Sequence, residues 1–271
     1  MGTYAITGSA SGMGRETAQR LRDGGHTVIG VDIKDADVIA DLSTPAGRAD
    51  AAARVLSQAS DRGPSPARDR VRQIAAVNYF GVVELLQAWR PALVAAGNAK
   101  VVVVASNSAT TMPTVPRCTV NALLAHDADK ALRSVRLFGP AAPTMMYGAS
   151  KLAVSRWVRR HAVLAEWAGS GVRLNALSPG AIMTPLLQEQ LSTPRQARAV
   201  RSFPVPVGGF GDPGQLAEWM CFMLSDAADF LCGSVVFVDG GTDAYFRADD
   251  WPKVLPARRL PGYLRRFTRF R

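Results

Sequence analysis

This chain has few of the residues that build disulfide frameworks and metal sites. Its 271 residues include three cysteines and three histidines. The cysteines are odd in number and lack metal-ligand spacing, and the histidines are scattered, so we expect reduced thiols, a cytoplasmic protein and no metal site. No run reaches the ~18 apolar residues of a membrane span, and the apolar start at Met1 predicts no signal peptide.

Acidic residues are also scarce. The chain has 22 Asp and Glu against 32 Lys and Arg, a net charge of +10, and residues 252–271 hold seven of the basic residues and no acid. Tyr263, Leu264, Phe267 and Phe270 interleave with these arginines, so an anionic membrane surface or nucleic acid could bind the tail. A solvated tail, or one that packs on a dimer partner or near the substrate mouth, fits the pattern equally well. We expect a weak contact with anionic surfaces at most, and no specific nucleic acid.

Apolar runs and helical patterns alternate along the chain and predict an α/β fold with a single Rossmann-type, doubly wound parallel sheet. The hydrophobic content of 48% suits one domain of this size. The predicted strands are 2–6, 27–31, 100–105, 171–176 and 234–238. The predicted helices are 13–23, 45–59, 68–97, 146–168, 184–200 and 213–224. We expect the substrate beyond the carboxyl ends of the strands, at the switch point.

A glycine-rich turn follows the first predicted strand. Thr7-Gly-Ser-Ala-Ser-Gly-Met-Gly14 joins that strand to a helix N-terminus. Bare backbone lets a pyrophosphate approach such a turn, and the helix dipole favours its charge. The residues expected at the pyrophosphate are Gly8, Ser11, Gly12, Met13 and Gly14.

Asp32 ends the second predicted strand, 18 residues after Gly14. This is near the spacing of a carboxylate that binds the adenosine ribose hydroxyls. A carboxylate there would repel a 2′-phosphate, and Ser11 in the turn is not a basic residue that would attract one. Both features favour NAD over NADP, and Lys34 slightly weakens that preference.

Tyr147 and Lys151 stand four positions apart in a predicted helix, so their side chains share one face. A phenol titrates near 10, and an ammonium group beside it stabilises the phenolate and lowers that pKa. The pair therefore predicts a general acid/base. The spacing alone also fits a solvated helix face, and the other motifs decide between the two interpretations.

Six motifs in order resemble the short-chain dehydrogenase/reductase family over most of the chain. They are Thr7–Gly14, Asp41-Leu42, Asn78 in Val77-Asn-Tyr-Phe-Gly81, Ser106 after an apolar run, Asn175–Gly180 with Thr184, and Val238-Asp-Gly-Gly241. Tyr147 and Lys151 match the catalytic pair of the same family. The resemblance implies a Rossmann-fold oxidoreductase that uses a nicotinamide cofactor.

The resemblance also implies a role for each matching residue. Tyr147 would take the proton from a secondary alcohol as hydride moves to the nicotinamide, or return it when a ketone is reduced. Lys151 would lower the tyrosine pKa and bond the nicotinamide ribose, and Ser106 would donate to the substrate oxygen. Ser108 is the competing serine. Asn78 would hold a relay water, or serve as a structural amide. The other cofactor contacts would come from Asp41, Leu42, Pro179, Gly180, Ile182 and Thr184.

The long interval between Ser106 and Tyr147 resembles that of one branch of the family. Forty-one positions separate Ser106 from Tyr147, and the intervening residues 107–146 predict helices at 120–125 and 127–137. This insertion resembles that of the 3α-hydroxysteroid dehydrogenase/carbonyl reductase branch, where it contributes to a dimer contact. The resemblance implies a homodimer and a hydroxysteroid or similar apolar carbonyl substrate. Candidate pocket liners are Met112, Met145, Met146, Met183 and Leu186. We place the catalytic domain at 1–248, with its insertion, and a basic tail at 249–271.

One part of the family pattern is missing. A fourth strand, followed by an Ala-Gly turn over the adenine ribose, normally stands between the helix after Asp41 and the helix carrying Asn78. Residues 51–70 instead hold two prolines and several charges, which a central parallel strand excludes. Either the strand is deleted, or Arg54-Val-Leu-Ser57 fills its place. The departure leaves two hypotheses: an NAD-dependent dehydrogenase, or a non-catalytic dinucleotide-binding or scaffold protein that lost productive cofactor binding.

Overall fold

The computed structural model describes residues 1–57, 69–251 and 254–269, apart from the side chains at 186, 190, 195, 196, 199 and 267–269. Parallel strands flanked by helices confirm the predicted α/β fold. The strands are β1 Thr3–Thr7, β2 Thr27–Asp32, β3 Val38–Ile39, β4 Lys100–Val104, β5 Arg173–Pro179 and β6 Val235–Val238.

Helices cover the connections between these strands. They are α1 Gly12–Asp23, α2 Pro45–Ser57, α3 Arg70–Ala75, α4 Val82–Ala95, α5 Ser108–Thr111, α6 Arg117–Leu124, α7 Ala128–Val135, α8 Ala142–His161, α9 Pro185–Ser192, α10 Pro194–Arg201, α11 Pro213–Leu224, α12 Thr242–Arg247 and α13 Leu260–Arg269. A π-helical turn, Ala76–Gly81, joins α3 to α4. The two helices predicted inside the 107–146 insertion are confirmed as α6 and α7.

The strands form two three-stranded parallel sheets, in the orders β1-β2-β3 and β4-β5-β6. The expected single sheet is therefore interrupted between β1 and β4, within the part of the chain that the structure describes. This is the place where the sequence lacks its fourth strand.

Backbone hydrogen bonds show which groups of β1 face the interruption. Thr27 N–H donates to the Gly2 carbonyl at 3.0 Å, and Gly8 N–H donates to the Val31 carbonyl at 2.8 Å. Because peptide groups alternate sides along a strand, the even-numbered residues of β1 pair with β2. The odd-numbered residues Thr3, Ala5 and Thr7 turn their peptide groups toward β4.

The facing edge of β4 has the same alternation. Ala105 N–H donates to the Leu177 carbonyl at 2.7 Å, and Arg173 N–H donates to the Ala99 carbonyl at 2.8 Å. Odd-numbered residues therefore pair with β5. The peptide groups of Lys100, Val102 and Val104 point toward β1.

A cavity of about 830 Å³ lies between the amino-terminal parts of these two edges, with Tyr4, Trp89 and Lys100 among its walls. The hypothesis that Arg54–Ser57 fills the place of the strand is wrong. These residues form the last turn of α2, where Val55 packs into a hydrophobic cluster. Residues 58–68, which hold the two prolines of this interval, lie outside the described residues.

The largest hydrophobic core lies where α8 packs on β4 and β5. It combines residues from these strands with α4, α6 and α7, and includes Val103, Leu123, Met146, Trp157 and Leu174. The core fixes α8 against the end of β4, and this contact positions the catalytic candidates.

Two predicted helices are shorter than the sequence indicates. The helix predicted over 146–168 ends at His161, because Trp167 turns back and packs edge-on against Trp157 at 5.7 Å between ring centroids. A continuous helix would place these rings about 15 Å apart. The helix predicted over 184–200 divides at Thr193, which is extended because it precedes Pro194.

Candidate active site

The glycine-rich turn folds back tightly on the start of α1. Gly8 has φ +73° and Gly12 has φ +52°, values that favour glycine. A Cβ on Gly14 would stand 2.1 Å from the Gly8 carbonyl oxygen. Ser11 is the extended N-cap of α1 and Met13 lies in its first turn. With no side chains between loop and helix, the turn leaves backbone open to an anion and fits a pyrophosphate.

Asp32 lies against this turn, as its predicted role requires. Its Oδ2 accepts from Ala10 N–H at 3.0 Å, and its Oδ1 accepts from Ile33 N–H at 2.7 Å. These bonds hold the carboxylate at the carboxyl end of β2 beside the glycine-rich loop. The remaining lone pairs of its oxygens can accept from ribose hydroxyls.

Asp41 and Leu42 are held in a turn of their own. Asp41 Oδ1 accepts from Ser43 N–H at 2.9 Å, and the Leu42 carbonyl accepts from Arg48 Nη1 at 3.1 Å. The Leu42 side chain packs partly buried on the cluster around Val31. The described hydrogen bonds of this pair all lead toward α2, and its predicted place beside an adenine stays a prediction.

Tyr147 and Lys151 project from the same face of α8. The Lys151 Nζ lies 6.0 Å from the centre of the Tyr147 ring. The tyrosine is 37% exposed. A Cβ on Gly148 would stand 2.6 Å from the Met112 Sδ, which shows how closely the insertion packs on this turn.

The Lys151 ammonium reaches β4. Nζ donates to the Val104 carbonyl at 2.9 Å, and Val104 belongs to the strand edge that faces the interruption. Burial lowers the pKa of Lys151 from 10.5 to about 8, because a low-dielectric environment disfavours the charged form. Lys151 is therefore both close to the tyrosine and fixed by a backbone carbonyl.

Ser106 lies two residues beyond β4 and is 9% exposed. Its Oγ accepts from Ser108 N–H at 3.2 Å, which leaves the hydroxyl hydrogen free to be donated. The competing Ser108 begins α5, and its buried hydroxyl has no hydrogen-bond partner among the described residues. The choice of Ser106 over Ser108 stays a prediction.

Asn78 lies in the π-helical turn between α3 and α4. Its Nδ2 donates to Ser150 Oγ at 3.4 Å, and Ser150 Oγ donates to the Tyr147 carbonyl at 2.8 Å. The predicted relay residue is thus joined to the catalytic turn of α8. Single π-helical turns are frequent at functional sites, and the regular helix predicted over 68–97 did not anticipate this one.

The loop after β5 brings its predicted cofactor residues to the same edge. Pro179 ends β5, and Gly180 N–H donates to the Val238 carbonyl at 3.1 Å. Ile182 is buried, at 7% exposure. Thr184 caps α9, where its Oγ1 accepts from Leu187 N–H at 3.4 Å. Its Cγ2 stands 3.3 Å from where a Cβ on Gly12 would be, so this loop touches the glycine-rich turn.

A buried polar network that the sequence did not predict fixes the loop containing Ser106. Asn107 Nδ2 donates to Asp239 Oδ2 at 3.3 Å, and Asn107 N–H donates to the Pro179 carbonyl at 3.0 Å. Asp239 Oδ2 also accepts from Asp243 N–H at 2.8 Å. In the sequence, Asp239 belongs to the motif Val238-Asp-Gly-Gly241, and nothing there predicts its bond to Asn107. The polar Asn107 directly after Ser106 was the signal that could have revealed the network.

The described pocket liners are buried or partly buried. Met146 is completely buried in the main core, and Met145 packs against that core. Met112 lies beside Gly148, and Met183 is partly buried. The side chain of Leu186 lies outside the described residues.

The site thus collects an acid/base pair, a hydroxyl donor and an anion-binding turn at the carboxyl ends of parallel strands. Among the described residues, no cluster of three His, Cys, Asp or Glu could hold a metal ion. A phenol backed by a buried ammonium can exchange a proton with a substrate oxygen. The glycine-rich turn and Asp32 can hold a dinucleotide beside it.

Comparisons with known proteins show which family the chain belongs to. A family model described as Enoyl-(Acyl carrier protein) reductase matches residues 132–243. The chain is 36% identical over 255 residues to 3-alpha-hydroxysteroid dehydrogenase/carbonyl reductase of Comamonas testosteroni, covering 91% of this chain and 98% of that protein. The solved 3-alpha-hydroxysteroid dehydrogenase of Pseudomonas sp. B-0831, complexed with NADH, is 41% identical with a TM-score of 0.81, over 91% of this chain and 99% of that one.

A more distant solved relative binds the other cofactor. A gluconate 5-dehydrogenase described as putative and NAD(P) dependent, from Beutenbergia cavernae, holds NADP at low occupancy. It is 26% identical with a TM-score of 0.66, over 89% of this chain and 96% of that one. The fold, the ordered motifs and these relatives define the class: the chain belongs to the short-chain dehydrogenase/reductase family. Within that family it is similar to 3-alpha-hydroxysteroid dehydrogenases over most of its length.

Proposed function

We propose that this chain is an NAD(H)-dependent oxidoreductase that interconverts a secondary alcohol and a ketone, with a hydroxysteroid or a similar apolar carbonyl compound as substrate. The observation that carries the proposal is the placement of Lys151, with its Nζ 6.0 Å from the Tyr147 ring and 2.9 Å from a β4 carbonyl. The names of the relatives from Comamonas testosteroni and Pseudomonas sp. B-0831 support the substrate class.

NAD is the cofactor that the residues fit best. The tight turn at Gly8–Gly14 leaves room for a pyrophosphate, and the Asp32 carboxylate beside it favours ribose hydroxyls over a 2′-phosphate. The cofactor supplies the hydride acceptor in the oxidation and the hydride donor in the reduction. We assign the contacts with the carboxamide to Thr184 and Ile182, which is supported by the contact of Thr184 with Gly12.

The chain's own residues move the proton and stabilise charge. In the oxidation, the Tyr147 phenolate accepts the proton of the alcohol. In the reduction, the neutral phenol donates a proton to the ketone oxygen. The Lys151 ammonium lies beside the Tyr147 ring and stabilises the negative charge of the phenolate. Ser106 donates its hydroxyl hydrogen to the substrate oxygen, where negative charge develops. Asn78 holds the relay water, and its bond to Ser150, which donates to the Tyr147 carbonyl, keeps it beside the turn that carries the tyrosine.

A second candidate is a non-catalytic dinucleotide-binding or scaffold protein. One observation favours it: the 830 Å³ cavity lies between the amino-terminal parts of the β1 and β4 edges, and the lysine donates to an edge carbonyl. Each unsatisfied buried peptide group costs about 1–3 kcal/mol, so the interruption could weaken the cofactor site. This candidate does not explain why Ser106, Tyr147 and Lys151 occur together.

The test is a fluorescence titration of the folded chain with NADH, beside NADPH, followed by turnover on a panel of hydroxysteroids and small secondary alcohols. The proposal requires saturable binding with NADH preferred, and turnover of at least one alcohol. Tight binding without turnover would favour the non-catalytic candidate. No binding of either nucleotide by a folded chain would overturn the dehydrogenase proposal and favour a scaffold that lost cofactor binding.

We further propose a homodimer in which the 107–146 insertion forms the contact. Leu137 is 95% exposed and Phe138 is 36% exposed on this insertion, so it presents apolar surface for a second copy. Light scattering after size exclusion would detect the dimer, and Leu137→Lys should shift it toward monomer.

The three free thiols support a cytoplasmic location. In the described residues, no helix is long and apolar enough to cross a membrane.

A further inference from the structure

We propose that α13 docks this protein on the surface of an anionic lipid bilayer. The proposal concerns a surface at the carboxyl end of the described chain and does not depend on catalysis. It rests on an exposed apolar face, on a local charge of a single sign, and on the length of the helix.

The apolar face of α13 is exposed. Leu260, Tyr263 and Leu264 follow the i, i+3, i+4 spacing that places side chains on one face. They are 49%, 44% and 55% exposed. A surface helix of an α/β domain normally buries such a stripe against its sheet. The adjoining Val254 and Leu255 are also exposed, at 87% and 46%.

Arginine dominates the rest of this segment. Residues 254–269 contain five arginines and no acid. Arg258, Arg259, Arg265 and Arg266 are exposed. On a helical projection Arg265 and Arg266 lie on either side of the pole opposite Leu260 and Leu264. A basic face opposite an apolar face is typical of helices that lie in the bilayer interface.

The length and charge of α13 favour an anionic bilayer over other partners. Ten residues make a helix of about 15 Å, half the ~30 Å of a hydrocarbon core, so it would lie on the surface. Nucleic acid would match the arginines and leave Leu260 and Leu264 in water. An identical α13 from a second copy would cover the leucines but leave the arginines on the opposite faces without a counter-charge. An anionic bilayer matches both faces of α13. Its headgroups pair with the arginines of the basic face, and the outer part of its acyl chains covers the leucines of the apolar face.

The proposal is tested by co-sedimentation of the full chain with vesicles of phosphatidylcholine and phosphatidylserine, beside vesicles of phosphatidylcholine alone. Binding is expected on the anionic vesicles and should fall as salt rises. Arg258→Gln, Arg259→Gln and Arg266→Gln together should lower the partition coefficient about tenfold or more. Leu260→Ser with Leu264→Ser should lower it as well, because the apolar face is lost.

A matched control removes the same charge elsewhere. Arg70, Arg133 and Arg201 are exposed and lie outside the tail, so replacing all three with Gln should leave most of the binding intact. Equal losses in the control and tail variants would overturn the proposal, as would equal binding to neutral vesicles. Retention of a transfer RNA or duplex DNA through the tail arginines, without vesicle binding, would overturn it in favour of nucleic acid. Self-association that the leucine substitutions abolish, again without vesicle binding, would overturn it in favour of a second copy.

Discussion

The Lys151 ammonium donates to the carbonyl oxygen of Val104 at 2.9 Å. Val104 lies on the β4 edge that faces the sheet interruption, where a neighbouring strand would normally bond its carbonyl. The lysine satisfies that acceptor instead. Among the described residues, the interrupted edge of β4 and the candidate pair of Tyr147 and Lys151 therefore meet at the Val104 carbonyl.

The first prediction concerns stability at alkaline pH. Burial lowers the pKa of Lys151 from 10.5 to about 8, so between pH 8 and 10.5 the unfolded state binds more protons than the folded state. Lys151 therefore makes the protein more stable as pH rises through this window, by about 3 kcal/mol in total, and its full cost is present below pH 8. Urea unfolding across that range should show this rise in wild type and lose it in Lys151→Met.

The exposed Lys130 offers a control, since Lys130→Met should keep the wild-type pH dependence. An identical pH dependence in wild type and Lys151→Met would show that the ammonium is not buried as described. The comparison uses differences between variants, so other groups that titrate in the same range cancel.

The second prediction concerns cofactor choice. Asp32→Asn removes the carboxylate beside the glycine-rich turn and with it the repulsion of a 2′-phosphate. The ratio of NADPH to NADH dissociation constants should fall about tenfold, an order set by one close charge pair. Asp35→Asn, three residues on, removes the same charge and should change the ratio much less. A ratio unaffected by Asp32→Asn would remove this carboxylate from the cofactor site.

The third prediction concerns the glycine-rich turn. A Cβ on Gly14 would stand 2.1 Å from the Gly8 carbonyl oxygen, so Gly14→Ala must push the loop away from α1. Overpacking of this kind costs about 1–3 kcal/mol, and NADH affinity should fall at least tenfold. Gly262→Ala is the control, because no atom lies within 4 Å of the added methyl group. Normal NADH affinity in Gly14→Ala would contradict the described turn.

The fourth prediction concerns the two strand edges. Amide exchange measured by NMR should be faster at Ala5 and Val104, which face the interruption, than at Ile6 and Val103, which face paired strands. Neighbouring amides on one strand serve as each other's control. Equal protection along both strands would show that another segment pairs with these edges in solution.

Much of the fold could be predicted because local sequence signals, such as helix caps and apolar spacing, match the elements that the folded chain forms. The helix over 213–224 has the predicted bounds, since Asp212 caps its start and accepts from the Gly214 and Gln215 amides. The bounds of the five predicted strands are displaced by three residues at most, and the short β3 was not predicted. The errors arose where tertiary contacts decided the outcome, as when Trp167 packs back on Trp157 and shortens α8.

The placement of Tyr147 and Lys151 side by side on α8 could be predicted from their spacing of four residues. The sequence could not predict which group accepts the hydrogen bond from Lys151, because every residue has a backbone carbonyl and the sequence does not single one out. It also missed the network of Asn107 with Asp239, since residues 132 positions apart meet only in the folded chain. The amphipathic pattern in the tail was noted, whereas the exposure of α13 required the structure.

The central claim is that Tyr147 is the acid/base of a working dehydrogenase. The most direct measurement is NAD⁺ reduction, followed by absorbance, with hydroxysteroids and small secondary alcohols for wild type, Tyr147→Phe and the exposed-tyrosine control Tyr245→Phe. The account predicts turnover by wild type and Tyr245→Phe, and a kcat lower by about 10²–10⁴-fold in Tyr147→Phe with NADH affinity unchanged. Turnover in Tyr147→Phe equal to wild type, or none in a wild type that binds NADH, would contradict it.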